Sequence, residues 1–308
     1  MLHEHHTDRM GAARLSVISN TVLVVAKFTI GIISGSVAIL SEAVHSSLDL
    51  VASLIAWFSV RESGKPADEQ HPFGHGKIEN VSGTIEALLI FGAAIYIIYE
   101  SSRKLVGGRV EIEQLGLGAA VMGASALVNY FVSRHLLTVA VKTDSVALEA
   151  DALHLRTDVY TSAGVLCGLV VIKFTGITLL DPLVAIAVAL LIIKTAYDLT
   201  KSAFFNILDV KLPDDEVAVI RDVLQGYSHQ YLEFHKLRSR KSGHIRHIDM
   251  HLVVPKLMTV EMGHKLSHQI SGEIEKRLPY SIVLVHIEPC EEQCDACIVE
   301  CPSINYKS

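Results

Sequence analysis

Residues 37–60 read Val-Ala-Ile-Leu-Ser-Glu-Ala-Val-His-Ser-Ser-Leu-Asp-Leu-Val-Ala-Ser-Leu-Ile-Ala-Trp-Phe-Ser-Val. Coiled as a helix, this stretch is ~36 Å long, enough to cross a ~30 Å hydrocarbon core. It nevertheless carries Glu42, His45 and Asp49. Ionisable groups are costly in hydrocarbon, and those that occur there face a bundle interior or a polar pathway. His45 and Asp49 are four apart, so they share one helix face a single turn apart. The spacing recurs in Asp151-Ala-Leu-His154-Leu-Arg-Thr-Asp158. A lone anchor has no use for either pair, so the chain reads as a polytopic helix bundle with a polar interior.

The rest of the sequence fits that frame. Half of the 308 residues are apolar, 19% are charged and the mean hydropathy is +0.38. A soluble domain holds about a quarter charged residues, so this chain is too apolar to be wholly soluble. Six apolar stretches separate: Leu15–Ile33, Val37–Val60, Ile78–Ser101, Leu115–Leu137, Ser145–Phe174 and Leu179–Thr200. Small residues along them, among them Gly31, Gly83, Gly92, Gly123 and Gly164, would let helices approach closely in lipid. Lys and Arg gather on one side of the bundle (Arg9, Arg14, Arg61, Lys65, Lys77, Arg134, Lys142, Lys201 and Lys211), with fewer opposite. By the positive-inside rule both termini are expected in the cytoplasm. The net charge of −6 argues against a nucleic-acid partner.

From Asp209 the periodicity changes. Pro213-Asp214-Asp215-Glu216 opens a helix, and Tyr231–Arg240 and His244–Val254 alternate as strands around Lys241-Ser242-Gly243. Thr259–Leu278 is an amphipathic helix capped by Thr259, and Ser281–Ile287 a third strand. The expected fold is therefore an α-helical membrane protein of six transmembrane helices plus a C-terminal cytoplasmic α+β domain, ferredoxin-like, of order α-β-β-α-β. The expected division is a polar, flexible N-terminus over 1–14 with His3, His5 and His6, and a six-helix domain over 15–208. A cytoplasmic domain over 209–289 and a Cys-rich tail over 290–308 follow. At ~80 residues the cytoplasmic domain is small for a self-standing core, and a dimer partner would help it.

The chemistry-bearing residues point to metal. His45, Asp49, His154 and Asp158 supply two imidazoles and two carboxylates, a four-ligand set suited to Zn²⁺ and poorly suited to Mg²⁺ or Ca²⁺. Polar glue between helices more often uses Ser, Thr or Asn. Arg156, between the two fifth-span ligands, is turned away from them and is expected to pair with Asp151, Glu42 or Glu86. In the loop after the second span, Asp68, His71 and His75 form D-x-x-H-x-x-x-H, a spacing that can wrap one cation. The C-terminal region is dense in histidine and acid. Its end holds Cys290, Cys294, Cys297 and Cys301, a possible thiolate site for Zn²⁺ or Cu⁺. The spacing is one residue too long for a bacterial ferredoxin run, which argues against an iron–sulfur cluster.

Over nearly its whole length the chain resembles the cation diffusion facilitator family of dimeric metal/proton antiporters. The resemblance is carried by six spans, H-x-x-x-D in the second and fifth, and the α+β domain. It implies that His45, Asp49, His154 and Asp158 form the transport site in the version associated with zinc and often cadmium. It also implies that Asp68, His71 and His75 are a loop site. His235, His251, His264, His286 and Glu288 match a cytoplasmic binuclear zinc site, with Glu288 where relatives usually carry Asp; His247 and His268 are left as solvated. Lys77 and Asp209 match a charge interlock between helices and tail.

The expectation is thus a homodimer in the cytoplasmic (inner) membrane, in contact with lipid, that exports Zn²⁺ in exchange for protons. Further Zn²⁺ would act structurally or regulate. The alternatives are an Fe²⁺, Co²⁺ or Mn²⁺ exporter of the same kind, or a membrane-anchored zinc sensor or storage protein that moves nothing.

Overall fold

A computed structural model describes residues 2–35, 37–107, 117–175 and 180–291. It divides into two compact units, Met1–Ile207 and Leu208–Ser308. The first contains six long helices: α1 (Leu2–Ser34), α2 (Val37–Ser63), α3 (Lys77–Gly107), α4 (Leu117–Thr143), α5 (Val146–Thr175) and α6 (Leu180–Ile207). Among the described residues five of them are long and apolar enough to cross a membrane: His6–Ile33, Glu42–Ser63, Lys77–Arg103, Ala120–Thr143 and Pro182–Ile207. The less clear one is α5, which carries Asp151, His154, Arg156 and Asp158.

The closest packing joins α3 to α6, α1 to α2 and α4 to α5. The buried surfaces are rich in alanine, including Ala43, Ala52, Ala56, Ala87, Ala94, Ala150 and Ala196. Such small side chains allow close approach where lipid offers no hydrophobic drive. A Cβ on Gly31 would lie 2.9 Å from Leu40, and one on Gly83 2.9 Å from Val146. Gly92 and Gly123 meet nothing within 4 Å, so close packing does not explain them. Gly35 turns α1 into α2 at a φ of +63°, a conformation other residues rarely adopt. Large apolar side chains such as Ile18, Val22, Ile33 and Leu191 face outward, as a lipid-solvated bundle requires.

The N-terminus departs from expectation. It is helical from Leu2, continuous with the first span, because it packs rather than floats. Ala12 and Ala13 join a cluster with Val60, Leu136 and Leu148. Arg9 Nη1 donates to Glu79 Oε1 at 2.8 Å, with the two side chains 4% and 0% exposed. Ser63 Oγ donates to the same oxygen at 2.7 Å, and Ser145 Oγ to Glu79 Oε2 at 2.6 Å. One carboxylate on α3 thereby ties α1, the end of α2 and the start of α5.

The second unit contains α7 (Asp214–Gly226), β1 (Glu233–Ser242), β2 (Ile245–Val254), α8 (Val260–Arg277) and β3 (Ser281–Pro289). The sheet order is β1-β2-β3, with β1–β2 antiparallel and β2–β3 parallel. A parallel pair needs a crossover, here α8. Thr259 Oγ1 caps α8 by accepting from the Met262 N–H at 3.3 Å. Ile220, Val223 and Leu224 of α7 and Leu266, Ile270 and Ile274 of α8 bury one sheet face through Ile248, Met250 and Leu252. The other face carries polar side chains on β1 and β2, and on β3 the exposed Ile282 and Leu284 beside His286 and Glu288.

Removing one partner from a buried ion pair strands the other, at a cost of about 3–5 kcal/mol. Arg9→Met is therefore expected to lower the thermal retention of the detergent-solubilised protein sharply, and Arg9→Met with Glu79→Gln to recover much of it. Wild-type retention in the single variant would contradict the clamp.

Candidate metal centres

Within the helical unit, α2 and α5 bring all four expected residues together in crossed pairs. His154 Nε2 lies 3.3 Å from Asp49 Oδ1, and His45 Nε2 lies 4.0 Å from Asp158 Oδ1. The histidine of each helix thus faces the aspartate of the other. Ligands 2.0–2.1 Å from a tetrahedral Zn²⁺ sit ~3.3 Å apart, so one pair matches that edge and the other is slightly open. His45, Asp49 and Asp158 also offer donor atoms within 4.8 Å of one another. His154 Nδ1 and Asp158 Oδ2 are buried with no hydrogen-bond partner. Buried polar atoms are nearly always satisfied, so orphans beside this cluster fit a site completed by a ligand. A cavity of about 130 Å³ adjoins it, lined in part by Lys27, Glu42, Ser46 and Asn129.

The expected partners of Arg156 are not taken up. Glu42 pairs with Lys27 at 3.3 Å, and the carboxylate oxygens of Glu86 and Asp151 have no hydrogen-bond partner. Five helical positions turn Arg156 ~140° away from Asp151, off the face the carboxylates occupy.

The loop between α2 and α3 gathers Asp68, His71 and His75. Asp68 Oδ1 accepts the N–H groups of His71 at 2.6 Å and Gln70 at 3.0 Å. Asp68 Oδ1 lies 3.2 Å from His71 Nδ1, and Asp68 Oδ2 3.4 Å from His75 Nε2. The His71 and His75 rings are 4.4 Å apart, and the three donors lie within 4.8 Å of one another. Gly74, at a φ of +79°, donates to His71 O at 2.9 Å and folds the loop back. The Asp68 carboxyl sits below its ordinary value, chiefly through the His71 backbone N–H.

In the C-terminal unit the strand register builds the cluster. His235 is the Cα partner of His251, which is the partner of His286, so three histidines form one rung across the sheet. The register shifts between His235 and Arg238, where Lys236 has a φ of 51°. Such a bulge re-aims neighbouring side chains. Glu288, two residues beyond His286, lies on the same face. Its Oε1 is 2.6 Å from His251 Nδ1 and 3.7 Å from His286 Nε2, and its Oε2 is 3.0 Å from His235 Nε2. Its carboxyl is held below the usual glutamate value, mainly by the His251 hydrogen bond.

His264 does not join this rung. It meets His268, one turn along α8, edge to face, with ring centroids 4.3 Å apart. Cys290 is a buried free thiol, while Cys294, Cys297 and Cys301 lie outside the described residues. Lys77 donates to Ile207 O at 3.2 Å within its unit, and Asp209 pairs with Arg240 at 3.2 Å within the other. The residues that sequence reasoning missed are Arg9, Lys27, Ser63, Glu79 and Ser145. For Lys27 and Glu79 the signal was available: each is a charge inside an apolar stretch.

An apolar bundle with a crossed His–Asp set between two helices, joined to an α+β unit, defines a polytopic membrane protein with ionisable side chains in its interior. The chain belongs to the cation diffusion facilitator family of cation efflux transporters, a transporter family rather than an enzyme class. The family model described as the cation efflux transmembrane domain matches residues 13–208, and the cation efflux protein cytoplasmic domain matches residues 212–290. The uncharacterized transporter sll1263 of Synechocystis sp. is 35% identical over 260 residues, covering 84% of each chain. The cation-efflux pump FieF of Yersinia pestis is 33% identical over 282 residues, covering 91% of this chain and 92% of that one. A solved structure of CzrB in its zinc form is 32% identical and covers 28% of this chain and 97% of that one. Its TM-score is 0.26, too low for its geometry to be carried over.

Because Asp68 sits below its ordinary 3.8, it stays ionised at both pH 7 and pH 5.5. Asp68→Asn is therefore expected to weaken Zn²⁺ binding in the loop by about tenfold or more at either pH. The check is calorimetric titration of full-length protein in an Asp49→Ala background. A deficit that vanishes at pH 5.5 would mean that the carboxylate takes up a proton there.

Proposed function

We propose that this protein exports Zn²⁺, and by the same chemistry Cd²⁺, across the cytoplasmic membrane in exchange for protons, as a homodimer with both termini in the cytoplasm. The crossed His45–Asp158 and Asp49–His154 pairs between α2 and α5 carry this reading. Their mixed nitrogen and oxygen donors suit Zn²⁺ better than cations that prefer oxygen alone. Ligation needs neutral imidazoles and ionised carboxylates, so protons and metal compete for the same atoms. Proton uptake then releases the ion with no covalent chemistry.

Alternating access is supported by an asymmetry along the bundle. Lys27, Glu42 and Ser46 line the cavity toward the end that carries the α1–α2 turn. Toward the opposite end, the Glu79 network holds α1, α2, α3 and α5 together. This fits a conformation open at one end and closed at the other. The match of the C-terminal unit to a domain named ZT_dimer supports the homodimer. The rung of His235, His251 and His286 with Glu288 would hold regulatory zinc, and Asp68, His71 and His75 would capture the ion at the inner mouth.

The test is metal-dependent proton flux in sealed proteoliposomes, comparing Zn²⁺, Cd²⁺, Fe²⁺ and Mn²⁺, with Asp49→Ala as the blank. Zinc is expected to drive proton movement at least ~100-fold faster in the wild type than in the blank, since the ion then lacks a charged ligand. Tight zinc binding with no flux for any ion would favour a membrane-anchored sensor. Flux led by Fe²⁺ or Mn²⁺ would overturn the metal assignment alone.

A further inference from the structure

A buried cation shares the wall of the metal cavity. Lys27 lies on α1 about two turns before the α1–α2 turn, and only 5% of it is exposed. Its Nζ donates to Ser46 Oγ at 2.7 Å and pairs with Glu42 Oε2 at 3.3 Å. Both anchors are on α2: Ser46 directly follows His45 and precedes Asp49 by three positions, and Glu42 lies one turn earlier. The ammonium therefore sits beside the turn of α2 that presents two of the four ligands, and it lines the same 130 Å³ cavity as His45, Asp49 and Asp158. Glu42 is 37% exposed at the side chain, so it neutralises the ammonium incompletely.

A fixed positive charge here has two consequences. It offsets part of the negative charge of Asp49 and Asp158 while no metal is bound, which the low-dielectric interior would otherwise penalise. It also repels a bound divalent ion. A transport site needs that second effect: two carboxylates and two imidazoles, unopposed, resemble a structural zinc site, and an ion held so tightly leaves slowly. We propose that Lys27 sets the affinity of the transport site, acting as a resident cation that weakens divalent-metal binding and stands in for the ion's charge after release. The proposal rests on the reading of His45, Asp49, His154 and Asp158 as that site.

A merely structural Lys27, tying α1 to α2, would give variants that are less stable and bind zinc equally or more weakly. An affinity-setting Lys27 gives the opposite sign. The experiment is equilibrium Zn²⁺ titration of full-length protein in detergent, each variant compared with its own Asp49→Ala derivative so that the membrane site is read by difference. Lys27→Met removes charge and hydrogen bond together, whereas Lys27→Gln keeps a donor toward Ser46 and serves if the first fails to fold. Both are expected to tighten binding roughly tenfold, the scale on which one nearby charge acts on a divalent ion at an effective dielectric of ~20, after partial neutralisation by Glu42. Zinc flux at saturation should fall in step as release slows, and Lys27→Arg should return both quantities toward wild type. Unchanged or weaker affinity in the folded Met and Gln variants, with Asp49→Ala still removing a site, would overturn the role of Lys27 alone. If Asp49→Ala removes no zinc site in the wild type, the transport-site reading falls and this proposal falls with it.

Discussion

An ionised group removed from water must be compensated by its surroundings, and the helical unit is arranged around that constraint. Glu79 shows the full solution. It is wholly buried, and Arg9, Ser63 and Ser145 all donate to its two oxygens. The compensation comes from three other parts of the chain, so satisfying one carboxylate fixes the relative positions of α1, α2, α3 and the start of α5. Lys27 is a partial solution, with one hydroxyl and one half-exposed carboxylate. The cluster of His45, Asp49, His154 and Asp158 is left incomplete, with buried donors unpartnered. The compensation thus grades from closed at Glu79 to open at the four-residue cluster.

The three metal-type clusters are positioned by different means. Between α2 and α5 it is helix periodicity, repeated on two helices of a bundle that packs through small residues. In the 64–76 loop it is a turn in which backbone N–H groups fix Asp68 before any ligand arrives. In the C-terminal unit it is strand register, which lines up His235, His251 and His286 and lets Glu288 bridge them. Each cluster has at least one donor side chain more than half exposed: Asp68 and His71 in the loop, His286 on the sheet, and His45 between the helices.

Most of the architecture was legible in sequence because it follows local periodicity: apolar runs of membrane-crossing length, alternation in the strands, Thr259 as a cap. The H-x-x-x-D pairs were legible for the same reason, since a spacing of four defines a helix face without reference to the fold. What escaped depends on partners distant in sequence. Nothing local to Met1–Arg14 says that Arg9 meets Glu79, seventy positions on, so the segment read as flexible when it is helical. The helical angle turns Arg156 away from His154 and Asp158, but it does not by itself bring Arg156 to Asp151, Glu42 or Glu86, whose positions depend on packing between helices. His264 shares a residue type with the sheet cluster and not its rung.

In the proposed mechanism, His45, Asp49, His154 and Asp158 together hold the transported ion. Zinc-edge X-ray absorption tests it most directly, on full-length protein carrying Asp68→Ala, His235→Ala, His251→Ala, Cys294→Ser and Cys297→Ser to remove the other candidate ligands. A four-coordinate nitrogen and oxygen shell at ~2.0 Å is expected, with outer-shell scattering from two imidazoles. That signal should disappear when Asp49→Ala and Asp158→Ala are added. A six-oxygen shell without imidazole, or a spectrum unchanged by those two substitutions, would contradict it.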